Sequence, residues 1–112
     1  MKYLCLVYGE EAKIAEMNDA DCMTCVEDLM ESGHFIAGEA LQPVDTATTL
    51  RIRNGKTTFT DGPFAETKEQ LAGFYLLEAR DLNEALDKAA KIPPARVGSI
   101  EVRPIRQLQT GE

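Results

Sequence analysis

Asp61-Gly62-Pro63-Phe64-Ala65-Glu66-Thr67-Lys68-Glu69-Gln70 is a dense run of turn-forming and charged residues set between two β-rich stretches. Gly62 tolerates positive φ and Pro63 fixes φ, so the chain turns here under tight control. Before the loop, residues 46–53 and 56–60 alternate apolar and polar side chains around Asn54-Gly55, a strong two-residue hairpin signal. Leu50 and Ile52 alternate with Arg51 and Arg53, so one face of this hairpin is expected to be solvated. After the loop, residues 71–79 form an apolar strand centred on Phe74-Tyr75-Leu76-Leu77.

Further out, the pattern repeats. Asp81 with Glu84 three residues on reads as a capping box, opening a helix that Pro93-Pro94 ends. A last strand follows over about 98–105, through Ile100 and Val102. On the other side, residues 2–8 are almost continuously apolar, which predicts a strand buried on both faces. Residues 9–18 are polar and predict a loop. Asn18 or Asp19 then caps a helix over about 19–32, with Cys22, Val26, Leu29 and Met30 at helical spacing and Gly33 as its stop. Residues 34–41 predict a strand that Pro43 closes.

The order is β-α-β, an inserted hairpin, then β-α-β. That predicts an α+β, ferredoxin-like split βαβ fold, an antiparallel sheet with two helices on one face. The other face keeps apolar residues from three strands. A patch of that kind usually meets a partner, so a homodimer through the open sheet faces is expected.

At 112 residues, 44% hydrophobic and 28% charged, the chain fits a single globular domain over 1–112. The net charge of −7 argues against nucleic acid and anionic membrane as partners. No stretch approaches the ~18 apolar residues of a membrane span. Three cysteines, an odd number without an obvious pairing, suit a reducing compartment, so a cytoplasmic location is expected. Cys22-Met23-Thr24-Cys25 is a CxxC placed about a turn into a helix, with no second pair to complete a zinc site. Cys22 reads as core, and no metal site is expected. There is no GxGxxG, P-loop or GxSxG, and no cofactor is expected.

The decapeptide with Leu71 and Gly73-Phe74-Tyr75 resembles the signature of the DGPF-domain proteins of the YCII-related superfamily. Gly38-Glu39-Ala40-Leu41-Gln42-Pro43, Asp81-Leu82-Asn83-Glu84-Ala85 and Gly98-Ser99-Ile100-Glu101-Val102-Arg103-Pro104 fit the same pattern. The resemblance implies a dimeric α+β barrel of ferredoxin-like subunits, in proteins often left uncharacterised and sometimes associated with extracytoplasmic-function sigma factors. Better-studied relatives are proposed enzymes with a His on helix one beside an Asp. This chain departs from that pattern: its only His is His34, after the helix.

Several residues are candidates for a site, each with a structural alternative. Asp61 is either a general acid or base or a turn cap. Glu66, Lys68 and Glu69 either line a polar pocket or form a solvated turn, and Phe64 reads as a plug that anchors the loop to the core. His34 is either an acid–base group or a dipole partner at the end of helix one. Glu39 and Gln42 flank a strand end. Glu101 and Arg103 share one face of the last strand, where Arg103 is either an anion clamp or half of a surface ion pair. Tyr75 is either a pocket wall or core. Two functions remain open. One is a binder or acid–base enzyme of an unknown small molecule, with its pocket near residues 61–70. The other is a non-catalytic interaction or regulatory module.

Overall fold

The structure, a computed structural model, describes residues 1–109. Its elements are β1 (Lys2–Gly9), α1 (Glu11–Ala15), α2 (Asp19–Glu31), β2 (Phe35–Ala40), β3 (Thr48–Arg53), β4 (Lys56–Asp61), β5 (Gln70–Glu78), α3 (Leu82–Ala89) and β6 (Ser99–Pro104). Short 3₁₀ turns lie at Val44–Thr46 and Pro93–Arg96. Four strands form one sheet in the order β2-β5-β1-β6, and every pairing is antiparallel. β1 and β2 are therefore parallel to each other with β5 between them, and β5 and β6 are parallel with β1 between them. These are two interleaved βαβ units, the split βαβ arrangement expected from the sequence.

The caps explain the helix limits. Asn18 accepts a hydrogen bond from the Ala20 N–H at 2.8 Å and starts α2. At the other end Gly33 sits at φ +79°. Its N–H bonds to Met30 O, and the His34 N–H bonds to Leu29 O, which together satisfy two orphan carbonyls of the last turn. Asp81 accepts from the Glu84 N–H at 2.9 Å and starts α3. The return half of the capping box is displaced by one residue, because Glu84 Oε1 accepts from the Arg80 N–H at 2.9 Å.

One face of the sheet makes the core. Cys5, Val7 and Leu77 pack against Cys25 and Leu29 of α2 and against Ala89 and Ile92 at the end of α3. Tyr3, Ala79 and Ala85 extend the same layer. Three expectations change here. Residues 11–15 form the short helix α1 rather than loop. β1 buries Tyr3, Cys5, Val7 and Gly9, while Leu4, Leu6 and Tyr8 stay only partly buried, so among the described residues its second face is not covered as the first is. On α2 the buried stripe is Cys25 and Leu29, and Met30 points outward, because α2 meets the sheet about one residue round from the stripe that spacing suggested.

β3 and β4 form a separate two-stranded sheet around Asn54 (φ +51°) and Gly55 (φ +73°), a turn in which both central residues are left-handed. This hairpin is an arm. The molecule measures 47 × 46 × 18 Å, with a radius of gyration of 16.0 Å. A compact chain of this length has about 13 Å.

Candidate functional site

The 61–70 loop builds the base of the arm. Gly62 adopts φ +113°, its N–H bonds to Ala47 O at 2.8 Å, and its carbonyl accepts from Thr49 Oγ1 at 2.9 Å. The turn chemistry of Gly62-Pro63 therefore locks β3 to the start of the loop and aims the arm. Further along, Thr67 Oγ1 donates to Glu69 O, and Gln70 Nε2 donates to Thr67 O. Phe64 is not a plug: it is 82% exposed, with its ring centre 6.0 Å from the Arg51 guanidinium.

Between the arm's base, the loop and the end of the sheet lies a cleft of about 840 Å³. Its apolar walls include Leu41, Pro43, Phe64 and Leu71. Its polar lining is uncharged, with Tyr8, Gln42 and Gln70 beside a set of threonines. The threonine hydroxyls at 46, 49 and 67 donate to backbone carbonyls. Tyr8 and Gln42 have no side-chain hydrogen bond among the described residues, and so offer free donors and acceptors to whatever enters.

Of the sequence candidates, Asp61, Glu66 and Lys68 sit on or around the loop but do not line the cleft. Asp61 is exposed. It pairs with Thr48, a lining residue, so its carboxylate stands at the rim on that side of the arm. Lys68 Nζ lies 4.0 Å from Glu10, which Lys13 holds at 2.8 Å. The Lys13 hydrogen bond keeps the Glu10 carboxyl below its usual range. Glu69 Oε1 accepts from Ser99 Oγ at 2.8 Å and ties the loop to β6.

The other candidates lie elsewhere. His34 bridges the two helices. Its Nδ1 is 2.7 Å from Ser32 Oγ and its Nε2 is 3.3 Å from Glu84 Oε1. Backbone hydrogen bonding from Arg80 is the main cause that lowers the Glu84 carboxyl, with the Arg80 and His34 charges adding to it. Strand register puts Ser99, Glu101 and Arg103 opposite Tyr8, Leu6 and Leu4, hence on the open face. There Arg103 Nε and Glu101 Oε2 form an ion pair at 2.5 Å. Glu39, opposite Phe74, is on the same face at the β2 edge.

Tyr75 faces the helices. It meets Phe35 edge-on, ring centres 6.3 Å apart, and burial pushes its hydroxyl up to about 12. A second cleft of about 390 Å³ opens there between α1, α2 and the sheet, with Tyr75, Glu39, Cys22, Met17 and Phe35 in its lining. The sequence reading missed this cleft and the polar handle Tyr8, and it noted Gln42 only as flanking a strand end. Apolar strand residues give no sign of where two layers fail to close. The three thiols are free, and burial raises each above its usual range, to about 11 at Cys5. That is the reverse of an activated CxxC. No group of three or more His, Cys, Asp or Glu side chains suited to a metal occurs among the described residues.

A split βαβ sheet covered on one side, with a tightly turned loop setting an arm beside a cleft, defines a small α+β domain of ferredoxin-like fold. Comparison with known families is specific about which one. The YCII-related domain model matches residues 1–109, and the chain belongs to that family. It is 39% identical over 121 aligned positions to an uncharacterised protein, R00369, of Rhizobium meliloti (strain 1021), covering 100% of this chain and 98% of the relative. No helix among the described residues is long and apolar enough to cross a membrane.

Proposed function

We propose that the protein is a homodimer, joined through the open sheet faces, that binds a small uncharged molecule in the cleft beside residues 61–70. The carrying observation is the lining of that cleft. It combines apolar walls at Leu41, Pro43, Phe64 and Leu71 with the unengaged polar groups of Tyr8 and Gln42, and it presents no charged side chain. Such a site suits a ligand with an apolar body and a carbonyl or hydroxyl group. An ionic ligand would lack a counter-charge there.

The dimer is supported by surface area. The chain exposes 8103 Å². A compact 12.4 kDa monomer is expected to expose roughly 6,100 Å². The excess of about 2,000 Å² per chain is of the size that obligate homodimers bury. Leu4, Leu6, Phe74 and Leu76 supply its apolar centre by register, with Tyr8 and Leu71 at the end of the ladder where the cleft begins.

Thermal-shift screening with uncharged metabolites tests the binding reading. A saturable rise in melting temperature is expected, with affinity falling about 2- to 10-fold in Gln42→Ala and Tyr8→Phe. Binding unchanged in both variants would remove the cleft from consideration.

Acid–base catalysis is a second reading, favoured by Asp61 standing opposite the lining residue Thr48. It predicts that Asp61→Asn keeps ligand affinity but abolishes turnover of the bound molecule. Turnover that survives the substitution would rule Asp61 out as the acid or base. A non-catalytic module remains if the ligand binds and is released unchanged.

A further inference from the structure

The β3–β4 arm carries apolar surface that its own chain does not cover. By register Thr48, Leu50, Ile52, Thr57, Phe59 and Asp61 share one face, and Thr49, Arg51, Arg53, Lys56 and Thr58 share the other. Leu50, Ile52 and Phe59 are 54%, 58% and 69% exposed. A two-stranded hairpin is marginal in water by itself and needs a surface to pack on.

Charge points to what that surface is. The arm, residues 48–61, holds Arg51, Arg53 and Lys56 and one acid, Asp61 at its base, for a charge of +2 within a chain of −7. The rest of the chain therefore carries −9. A second copy supplies both things the arm lacks, an apolar sheet face and an acidic surround. Glu39 lies on that face at its β2 edge. On β6, Glu101 already has Arg103. The hydrogen bonds at Gly62 and Thr49 close the base of the arm, and its apolar side chains stand exposed rather than packed on its own body.

We propose that the hairpin is an exchange arm. In the homodimer, on which this inference rests, the Leu50–Ile52–Phe59 face packs against the body of the second copy at the margin of the sheet-to-sheet contact, and Arg51, Arg53 and Lys56 meet its acidic surface. Because β3 and the loop also wall the 840 Å³ cleft, arm exchange fixes one wall of each site through the partner. The dimer would thereby set the width of the cleft.

The test has two arms, both on the full chain. The first is sedimentation of the wild type and of an Ile52→Glu/Phe59→Glu double variant, with Ile52→Val/Phe59→Leu as the conservative control. The double variant should dimerise roughly thirtyfold more weakly, while circular dichroism and the core's melting stay unchanged. The conservative pair should restore the wild-type constant. The second is a benzophenone amino acid at position 59, which on illumination should link two chains covalently. A wild type that is dimeric, yet dimerises equally well with both glutamates and cross-links only within one chain, overturns the exchange arm and leaves the sheet-face dimer standing. A wild type that is monomeric at every concentration overturns both.

Discussion

The body and the arm are built from similar residues and treat them in opposite ways. In the body, Leu77 and Ile92 are fully buried, and seven buried residues from β1, β5, α2 and α3 with its following turn close one core. In the arm, every residue of β4 is exposed, and so is Phe64 in the loop behind it. A buried leucine is worth about 1.5–3 kcal/mol relative to an exposed one. The body collects that energy within one chain. The arm leaves it uncollected, although its turn and its base are as well specified as any helix cap in the molecule. Local geometry in the arm is therefore set by the chain itself, while its apolar side chains stay exposed.

The largest test of this contrast is a pair of truncations. Leu77→Ala removes side-chain atoms from a fully buried site and should cost about 2–5 kcal/mol in denaturant unfolding. Leu50→Ala should cost less than about 0.5 kcal/mol when measured dilute, where copies are apart. At high concentration its cost should rise, since the partner's contact is then lost as well. A Leu50→Ala cost that is large and independent of concentration would mean the arm is packed on its own body.

Salt separates the regions next. Exposed charge pairs are screened over a Debye length of about 10 Å at 0.1 M. If Arg51, Arg53 and Lys56 meet an acidic partner, raising the salt should weaken dimerisation severalfold while the body's unfolding changes little. Analytical ultracentrifugation over a salt series reads this directly. Dimerisation strengthened by salt throughout would point to a contact that is apolar alone.

The same contrast governs what the sequence shows. The caps at Asn18 and Asp81, the helix stop at Gly33 and the Asn54-Gly55 turn are each decided within a few residues, so they are legible, and the split βαβ order follows from them. The short helix at 11–15 was hidden because it buries no residue and shows no apolar stripe. Phe64 misled for a related reason. An aromatic beside Gly-Pro reads as an anchor, and only the direction of the turn shows that it leaves the core. The cleft was the least legible feature. Tyr8 and Gln42 meet there from β1 and from the segment after β2, more than thirty residues apart, and only Gln42 stands in a stretch with a family pattern. The charged loop residues that stood out in the sequence lie around the rim instead.

Alkaline pH should act on the body through Tyr75, because the arm contains no tyrosine. Burial raises Tyr75 from 10.0 to about 12, so the folded state holds the proton that the unfolded chain releases. Its contribution is complete below pH 10 and is lost as pH rises towards 12. Ultraviolet titration should show a late phase that Tyr75→Phe removes, and the same substitution should flatten the fall in stability over that window. A tyrosinate signal complete by pH 11 would mean the Phe35–Tyr75 layer is open to water.

The smallest expected effect sets two local signals against each other. Asp81→Ala removes the carboxylate that accepts the Glu84 N–H, and should cost about 1 kcal/mol of global stability, because α3 belongs to the cooperative core. Asn54→Ala places a β-carbon residue without asparagine's local hydrogen bonding at φ +51°, at a local cost of about 1 kcal/mol as well. Its global effect should be near zero in the monomer, since the arm frays without opening the core. Hydrogen exchange distinguishes the two: Asn54→Ala should speed exchange only at the β3–β4 amides, and Asp81→Ala should speed the slowest amides of β1 and β5. In the dimer the arm variant should regain protection, because the partner's surface now opposes fraying. Equal protection of the arm in monomer and dimer would show that a hairpin with so much exposed apolar surface is stable unaided, and the contrast between the two regions would reduce to one of shape.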